Sequence, residues 1–395
     1  MTRQTEMNVL MFACSLLQHD PRIRREAEAL ARNGEKVTLF VLAENGKHRT
    51  YESHGVTVVE LDTRKYRGNN KSAYLSLYLK FLAQAFVACS RLFLKGEVDV
   101  VHVHNMPNFL VFAGILPRIF GKKLILDIHD SIPETFEGKF NRLSPIVHRL
   151  FCLEEKISSA LAHRVICVNE VQKEVLVGRG IAPEKITTVI NVPDQDLFKV
   201  QDSHFNVNGS KPGFNLVYHG IIDRMMGLDM VIEAIARLRD RIPDLQMHVI
   251  GVGPHLDTLV AEAQRLGVED RVHFSMKYYP LDAIPSILEK MDIGILAHRV
   301  NAATELMLPV KLLEYMAVGL PTVAPRLKTI QHYFGDDMVT YFESGDVDSL
   351  TDALVKIHSD RGGRKKQAER ALSFLDRYGW EKHQQVLVNM YHRLN

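Results

Sequence analysis

Short apolar runs alternate with amphipathic stretches along the whole chain, and the alternation breaks only once. In the first half the strand-like runs are 8–14, 36–41, 56–61, 99–104, 123–129, 164–168 and 185–190. Helical patterns lie between them at 22–33, 72–95, 108–120, 145–162 and 170–179. Near-continuous Val, Ile and Leu in a strand imply burial on both faces, hence a mostly parallel sheet. Strand–helix alternation then implies right-handed crossovers and a doubly wound layer. The pattern stops at 191–215, where Asn191 to Asp194 reads as a turn cluster and 199–213 is polar. A second series follows, with strands at 214–219, 245–250, 271–275, 292–297, 321–324 and 339–342, and a helical tail over 346–395. The expected fold is α/β: two Rossmann-like parallel-sheet domains facing across a cleft, the first over 1–195 and the second over 196–377. In open sheets of this kind ligands bind off the carboxyl ends of the strands.

Composition narrows the function classes. Lys and Arg number 49 against 47 Asp and Glu, too balanced for a dedicated nucleic-acid binder. The balance hides an asymmetry: residues 1–195 hold 26 basic and 21 acidic side chains, leaving 23 and 26 for the rest. Two domains meeting different partners would show such a split. The cysteines, Cys14, Cys89, Cys152 and Cys167, are scattered and fit a reducing compartment. Met7 to Leu17 lacks a cleavage pattern and reads as a buried first strand. The apolar run from Ala73 to Leu94 is interrupted by Lys80, Gln84 and Arg91, unlike a transmembrane helix. The compartment expected is cytoplasmic.

The first strand leads into its helix without a glycine, so the Gly-x-Gly-x-x-Gly of a dinucleotide-binding turn is missing, and no Walker A sequence occurs. The most informative segment is 308–324, LPVKLLEYMAVGLPTVA. Pro309 suits a helix start, and Gly319 with Pro321 suits its stop. Leu312, Leu313 and Met316 form its apolar stripe, while Lys311 and Glu314 share a face near the N-terminus. That end of a helix is a natural anion site, a Lys there adds charge for phosphate, and a Glu one turn on can accept two ribose hydroxyls. A plain surface ion pair is the competing reading of the same spacing.

This segment resembles the donor-binding signature of retaining family 4 glycosyltransferases, which have the GT-B fold. Five further segments agree in order: Asp20-Pro21-Arg22, DVVHVH at 99–104, ILDIHD at 125–130, Tyr218 to Gly220 with Arg224 and Gly227 to Asp229, and Ile250 to Pro254. Tyr378 to Trp380 resembles the start of a closing helix, 378–395, that in this fold returns to the front domain. The resemblance covers essentially the whole chain.

It implies a nucleotide-sugar donor on the back domain and a carbohydrate or lipid-linked acceptor on the front domain, with neither metal nor cofactor. Glu314 resembles the second acid of the family's Glu-x7-Glu motif, but the first slot holds Leu306, with Glu305 one residue off. Slots that often carry Arg and Lys after the Tyr218–Gly220 strand hold Ile221 and Met226, leaving Arg224 between them as the phosphate ligand. Arg224, Lys311 and His129 are the catalytic candidates, His129 through contact with the transferred sugar. Glu314, Gly251, Gly253, Met276, Lys277, Leu312 and Leu313 are the donor-binding candidates. The glycines would let backbone approach a ligand, and Ser275 to Lys277 resembles the segment that meets the base. Asp20, Arg22, Asp130 and Glu134 are the acceptor-side candidates. A zinc site built from His129, Asp127, Asp130, His102 and His104 is the rival reading of the strand tips, though zinc proteins usually show tighter spacings.

Arg64 to Lys95 holds seven basic residues, no acid and six aromatics, which fits either a core-facing crossover helix or peripheral contact with the inner face of a membrane. The function expected is retaining transfer of a sugar from a nucleotide-sugar, UDP favoured over GDP, to a hydroxyl in bacterial surface polysaccharide or glycolipid synthesis. The rivals are a nucleotide-sugar binding protein without turnover and another GT-B enzyme such as an epimerase or a phosphorylase.

Overall fold

The computed structural model describes residues 6–66, 70–140, 143–200 and 213–394. Residues 201–212, most of the polar stretch 199–213 where a linker is expected, and Arg67 of the basic segment lie outside the described residues. Two compact units emerge. Unit 1 takes the chain to Ile190 and again from His383, and unit 2 runs from Asn191 to Lys382. The boundary falls at the Asn191 turn cluster, and the Trp380–His392 helix passes from one unit's chain into the other's.

Unit 1 is built on eight strands: β1 (Asn8–Ala13), β2 (Lys36–Ala43), β3 (Arg49–Ser53), β4 (Val56–Arg64), β5 (Val100–His104), β6 (Lys123–Ile128), β7 (Arg164–Cys167) and β8 (Ile186–Thr188). Their order is β3-β4-β2-β1-β5-β6-β7-β8, parallel except for β3 against β4. Val9 pairs with Val37 on one side and Val100 on the other, so the order reverses at β1, between β2 and β5. Burial on both faces explains the continuous apolar runs: Val9 to Ala13 are all essentially inaccessible. The antiparallel β3 was not expected. Its residues, RTYES, are polar because it is an edge strand. It turns into β4 through His54 and Gly55, both with positive φ, the geometry of a tight hairpin.

Unit 2 is built on β9 (Phe214–His219), β10 (Leu245–Ile250), β11 (Val272–Phe274), β12 (Ile293–Ile295), β13 (Thr322–Pro325) and β14 (Thr340–Phe342). The order is β11-β10-β9-β12-β13-β14, all parallel. All six were expected from the apolar runs. The chain leaves β9 toward β10 on one side and returns through β12 on the other, so the switch point is between β9 and β12. The Leu228–Arg237 helix buries Val231, Ile232 and Ile235 against this sheet. Each such side chain contributes about 1.5–3 kcal/mol by burial. Both units are Rossmann-like parallel α/β layers.

Candidate active site

The unit 2 site forms at that switch point. Tyr218, His219 and Gly220 end β9. The Tyr218 ring is buried, and its hydroxyl donates to Ile221 O at 2.6 Å. Gly220 has φ +116°, and a β-carbon there would lie 2.3 Å from Lys311 Cε. The positive φ calls for glycine, and the lysine side chain lies across the tip of the strand. Lys311 Nζ sits 5.5 Å from the centre of the Tyr218 ring. Burial lowers the lysine pKa, and Glu314 opposes that shift.

Lys311 and Glu314 come from the Val310–Ala317 helix, which no side chain caps. Its N-terminus is thus left without a side-chain cap beside a lysine, a combination that favours an anion. Glu314 is buried, and its Oε2 lies 3.2 Å from His219 Nε2. His219 was part of the motif, yet sequence reading gave it no role. Only its pairing, from the end of a strand, with a glutamate on a distant helix reveals it.

His298 was missed altogether. It follows β12, is fully buried, and neither ring nitrogen has a hydrogen-bond partner among the described residues. Burial, with the Lys311 charge adding to it, pushes its pKa down to about 3, so the ring is neutral. A lone histidine on a strand end carries no pattern that a sequence can display.

Arg224 lies in a short turn, Arg224–Met226, whose Asp223 Oδ1 accepts from Met225 N at 3.1 Å. The turn is fixed from behind. Gly227 has φ +66°, and a β-carbon there would meet Ala297 O at 2.0 Å. Arg299 N donates to Met225 O at 2.9 Å. The Arg224 side chain is exposed, and among the described residues no acid pairs with it. A rigid turn thus presents a free guanidinium.

Gly251 and Gly253 meet a backbone, but it is the chain's own. A β-carbon on Gly251 would lie 2.0 Å from Gly220 O, and one on Gly253 2.1 Å from Ile222 O. The two loops continue the β9–β10 pairing through Gly220 N to Ile250 O and Ile222 N to Val252 O. Gly251 N is also taken, donating to Ser275 Oγ at 2.9 Å. Loop pairing therefore explains both glycines without a ligand. Leu312 and Leu313 are likewise fully buried in the core. Their side chains offer a ligand nothing, and Leu312 N already donates to Pro309 O. Met276 is exposed with φ +54°, a strained conformation for a non-glycine residue. Lys277 Nζ rests 4.7 Å over the Tyr279 ring.

In unit 1 the tips of β5 and β6 carry a buried network. Asp127 Oδ2 lies 3.0 Å from both His104 Nδ1 and His129 Nε2, and His102 Nδ1 meets the Tyr391 hydroxyl at 2.8 Å. Burial works against the Asp127 charge, but His129 and the hydrogen bonds from His104 and His129 hold its pKa well below the usual range. Burial, then the adjacent Asp127, pushes Glu26 well up. One proton among the carboxylates lets the pair stay buried. Glu26, His102, His104 and Asp127 bring ligating atoms within 4.8 Å of one another. Asp127 Oδ2, His104 Nδ1 and His102 Nδ1 already serve partners inside the protein, whereas His102 Nε2, His104 Nε2 and Glu26 Oε2 have none among the described residues.

His129 is held at that network, its N–H donating to Asn105 Oδ1 at 2.8 Å. Asp130, next to it, is exposed. Asp20 and Arg22 stand together at the first helix, 3.9 Å apart. Glu134 does not join them. One of its oxygens pairs with Arg179, which also bonds Glu155 at 2.7 Å and Ser131 at 3.1 Å. This is an ion-pair cluster that engages one Glu134 oxygen, while Oε2 has no hydrogen-bond partner among the described residues.

With this geometry in hand, comparison with known proteins is specific. The family model for Glycosyltransferase Family 4 matches residues 22–196, and that for Glycosyl transferases group 1 matches 213–360. The chain belongs to the family 4 glycosyltransferases. The two matches fall one on each unit, and the glycosyltransferase has the GT-B fold. A D-inositol 3-phosphate glycosyltransferase from Kribbella flavida is 25% identical over 85% of this chain and 81% of its own. A GDP-mannose-dependent alpha-(1-6)-phosphatidylinositol monomannoside mannosyltransferase from Mycolicibacterium smegmatis is 32% identical, over 34% of this chain and 36% of its own. The chain thus spans about a third of that relative's length. Among solved structures, Anabaena Alr3699/HepE in complex with UDP superposes with a TM-score of 0.71 at 15% identity, over 98% of this chain and 100% of that one. That likeness speaks for the fold.

Proposed function

We propose that this glycosyltransferase moves a hexose from a nucleotide-sugar, UDP favoured over GDP, to a hydroxyl acceptor with retention of configuration and without a metal ion. Unit 2 binds the donor and unit 1 the acceptor. The observation that carries the reading is Lys311 lying across Gly220 at the β9–β12 switch point, one helical turn from the buried Glu314. As the glycosidic bond breaks, negative charge grows on the leaving diphosphate. Lys311, the helix N-terminus and Arg224 stabilise it without reorganising. Glu314 accepts the ribose hydroxyls, with His219 orienting its carboxylate. His129 contacts the transferred sugar. The acceptor hydroxyl gives its proton to the departing phosphate, so no protein base is needed.

The acceptor belongs to surface polysaccharide or glycolipid synthesis. The mycobacterial relative is named for a phosphatidylinositol monomannoside acceptor. Nucleoside diphosphate release from a panel of UDP- and GDP-sugars, with and without sugar and glycolipid acceptors, tests this. Release that rises with acceptor supports transfer. Donor binding without release supports the binding-protein reading, for which the departures at Ile221, Met226 and Leu306 leave room.

A further inference from the structure

Unit 1 has an outer helical layer that is apolar where it meets solvent. The Lys71–Leu94 helix buries Phe81, Ala85 and Cys89, spaced four apart, in the core. Its Ser72–Leu94 portion is long and apolar enough to span a bilayer, but spanning would strip those residues from the sheet. Yet Leu75, Leu79 and Phe86 on its outer side are 52%, 51% and 39% exposed. The layer continues sideways: the Phe93 ring lies 5.5 Å from that of Phe120, and Ile119 and Phe120 are 70% and 66% exposed. Arg118 Nε then bonds Leu161 O at 3.1 Å, joining the Pro145–Leu161 helix.

That third helix is inside out. Its buried residues are Glu155, Ser158 and Ser159. Its outward stripe is Ile146, Leu150, Leu153 and Ile157, a spacing of four, three and four, with Ile146 71% exposed. An ordinary surface helix shows the reverse. The inversion extends to charge. Glu154 turns inward to Asn108 and Ser158, and Glu155 to Arg179. Arg149 and Lys156 remain outside, as do Lys80 and Arg91 on the first helix. No described acid is exposed on these helices.

We propose that this layer docks flat on the surface of an anionic lipid bilayer, with the apolar stripes at the acyl boundary and the basic residues at the headgroups. Charge selects the occupant. An apolar face whose helices expose cations and no acid, with one exposed acid, Glu97, beyond the end of the first helix, suits anionic lipid, whereas a second copy of the chain would oppose like charges. The proposal stands apart from the donor reading, because docking needs no nucleotide.

Co-sedimentation of the full chain without nucleotide tests it, using vesicles of phosphatidylcholine and of an equal mixture with phosphatidylglycerol. The mixed vesicles are expected to bind the protein and phosphatidylcholine alone to bind it poorly. Arg149→Gln with Lys156→Gln should weaken binding to mixed vesicles by ~25-fold, since one basic residue near the surface supplies about fivefold. The Ile146→Gln, Leu150→Gln, Leu153→Gln triple should lose binding to both. These positions are exposed, and an unchanged melting curve confirms that the triple folds. Absence of vesicle binding, or equal binding by both variants, overturns the proposal. So does a dimer in light scattering that the triple dissolves while vesicles bind nothing.

Discussion

A β-carbon on Gly220 would sit 2.3 Å from Cε of Lys311, so any larger residue at the tip of β9 must displace the lysine side chain that lies across it. Gly220→Ala should therefore cost ~1–3 kcal/mol, combining a positive φ with the clash. In a Lys311→Ala background the clash is gone and only the φ cost remains. The two changes should be non-additive by more than ~0.5 kcal/mol in urea unfolding. Strict additivity would mean that the lysine does not lie across the glycine in solution.

Lys311 and Arg224 should act in the transition state more than in binding. Replacing either by Ala is expected to lower kcat by ~10²–10³ and to raise KM less, the scale for removing one preorganised group. Arg224→Lys should be milder than Arg224→Ala but not silent, because Lys cannot make a forked contact. If both alanine variants keep kcat, Arg224 is a solvated loop charge and Lys311 a partner of Glu314. Steady-state kinetics with the donor found in the panel decides this.

Glu314 is tested by binding alone. Glu314→Ala should weaken UDP or GDP binding by ~1.5–3 kcal/mol, the range for a hydrogen bond to a charged group. The His219→Ala variant should weaken it less, since His219 touches the carboxylate and not the ribose. Calorimetry giving unchanged affinity for Glu314→Ala would remove it as the ribose ligand.

Which of these features a sequence can display follows from their physics. Strands buried on both faces announce themselves as apolar runs, so both sheets were legible apart from β3, an edge strand whose polar residues look like loop. The Lys311–Glu314 helix was legible because a cap, a stripe and a stop all fall within one segment. Gly251 and Gly253 were legible as positions of close approach. What approaches them, the carbonyls of Gly220 and Ile222, is a tertiary fact. Glu134 looked available because Arg179, its partner, lies 45 residues away in sequence. His219 and His298 gave no signal, since a single buried imidazole acquires meaning only from its neighbours. The inward turn of Glu154 and Glu155 was equally hidden, and it is what leaves one helix with a purely basic rim.

The buried network in unit 1 should hold protons, not a metal. Chelator is expected to leave both the melting temperature and nucleoside diphosphate release unchanged, and elemental analysis should find no stoichiometric zinc. A cluster that ligated zinc would be strongly stabilised by it, because binding to the folded state alone shifts the equilibrium by mass action. A clear rise in melting temperature with added zinc, lost in His104→Gln, would make Glu26, His102, His104 and Asp127 a metal site.

His298 makes a prediction about pH, and its sign follows from burial. In the unfolded chain its pKa is near the ordinary 6.5, whereas burial and the Lys311 charge push it to about 3 in the folded protein. Below pH 6.5 the unfolded state therefore binds a proton that the folded state refuses. Stability is complete above the unfolded pKa and falls as acid is added, continuing down to about pH 3. Between pH 7.5 and 5 one such group costs about 2 kcal/mol, at roughly 1.4 kcal/mol per pH unit below the unfolded pKa. Other groups titrate as well: burial likewise lowers His383, to about 4, and raises Glu26, which acts in the opposite direction. The total slope is thus not diagnostic, but the difference between wild type and His298→Asn is. Urea unfolding followed by Trp380, the single tryptophan, at pH 7.5 and pH 5 should show the wild type losing about 2 kcal/mol more than the variant. Equal losses would mean that the imidazole finds a hydrogen-bond partner that keeps its pKa near normal, and a water between His298 and Lys311 would be the first place to look.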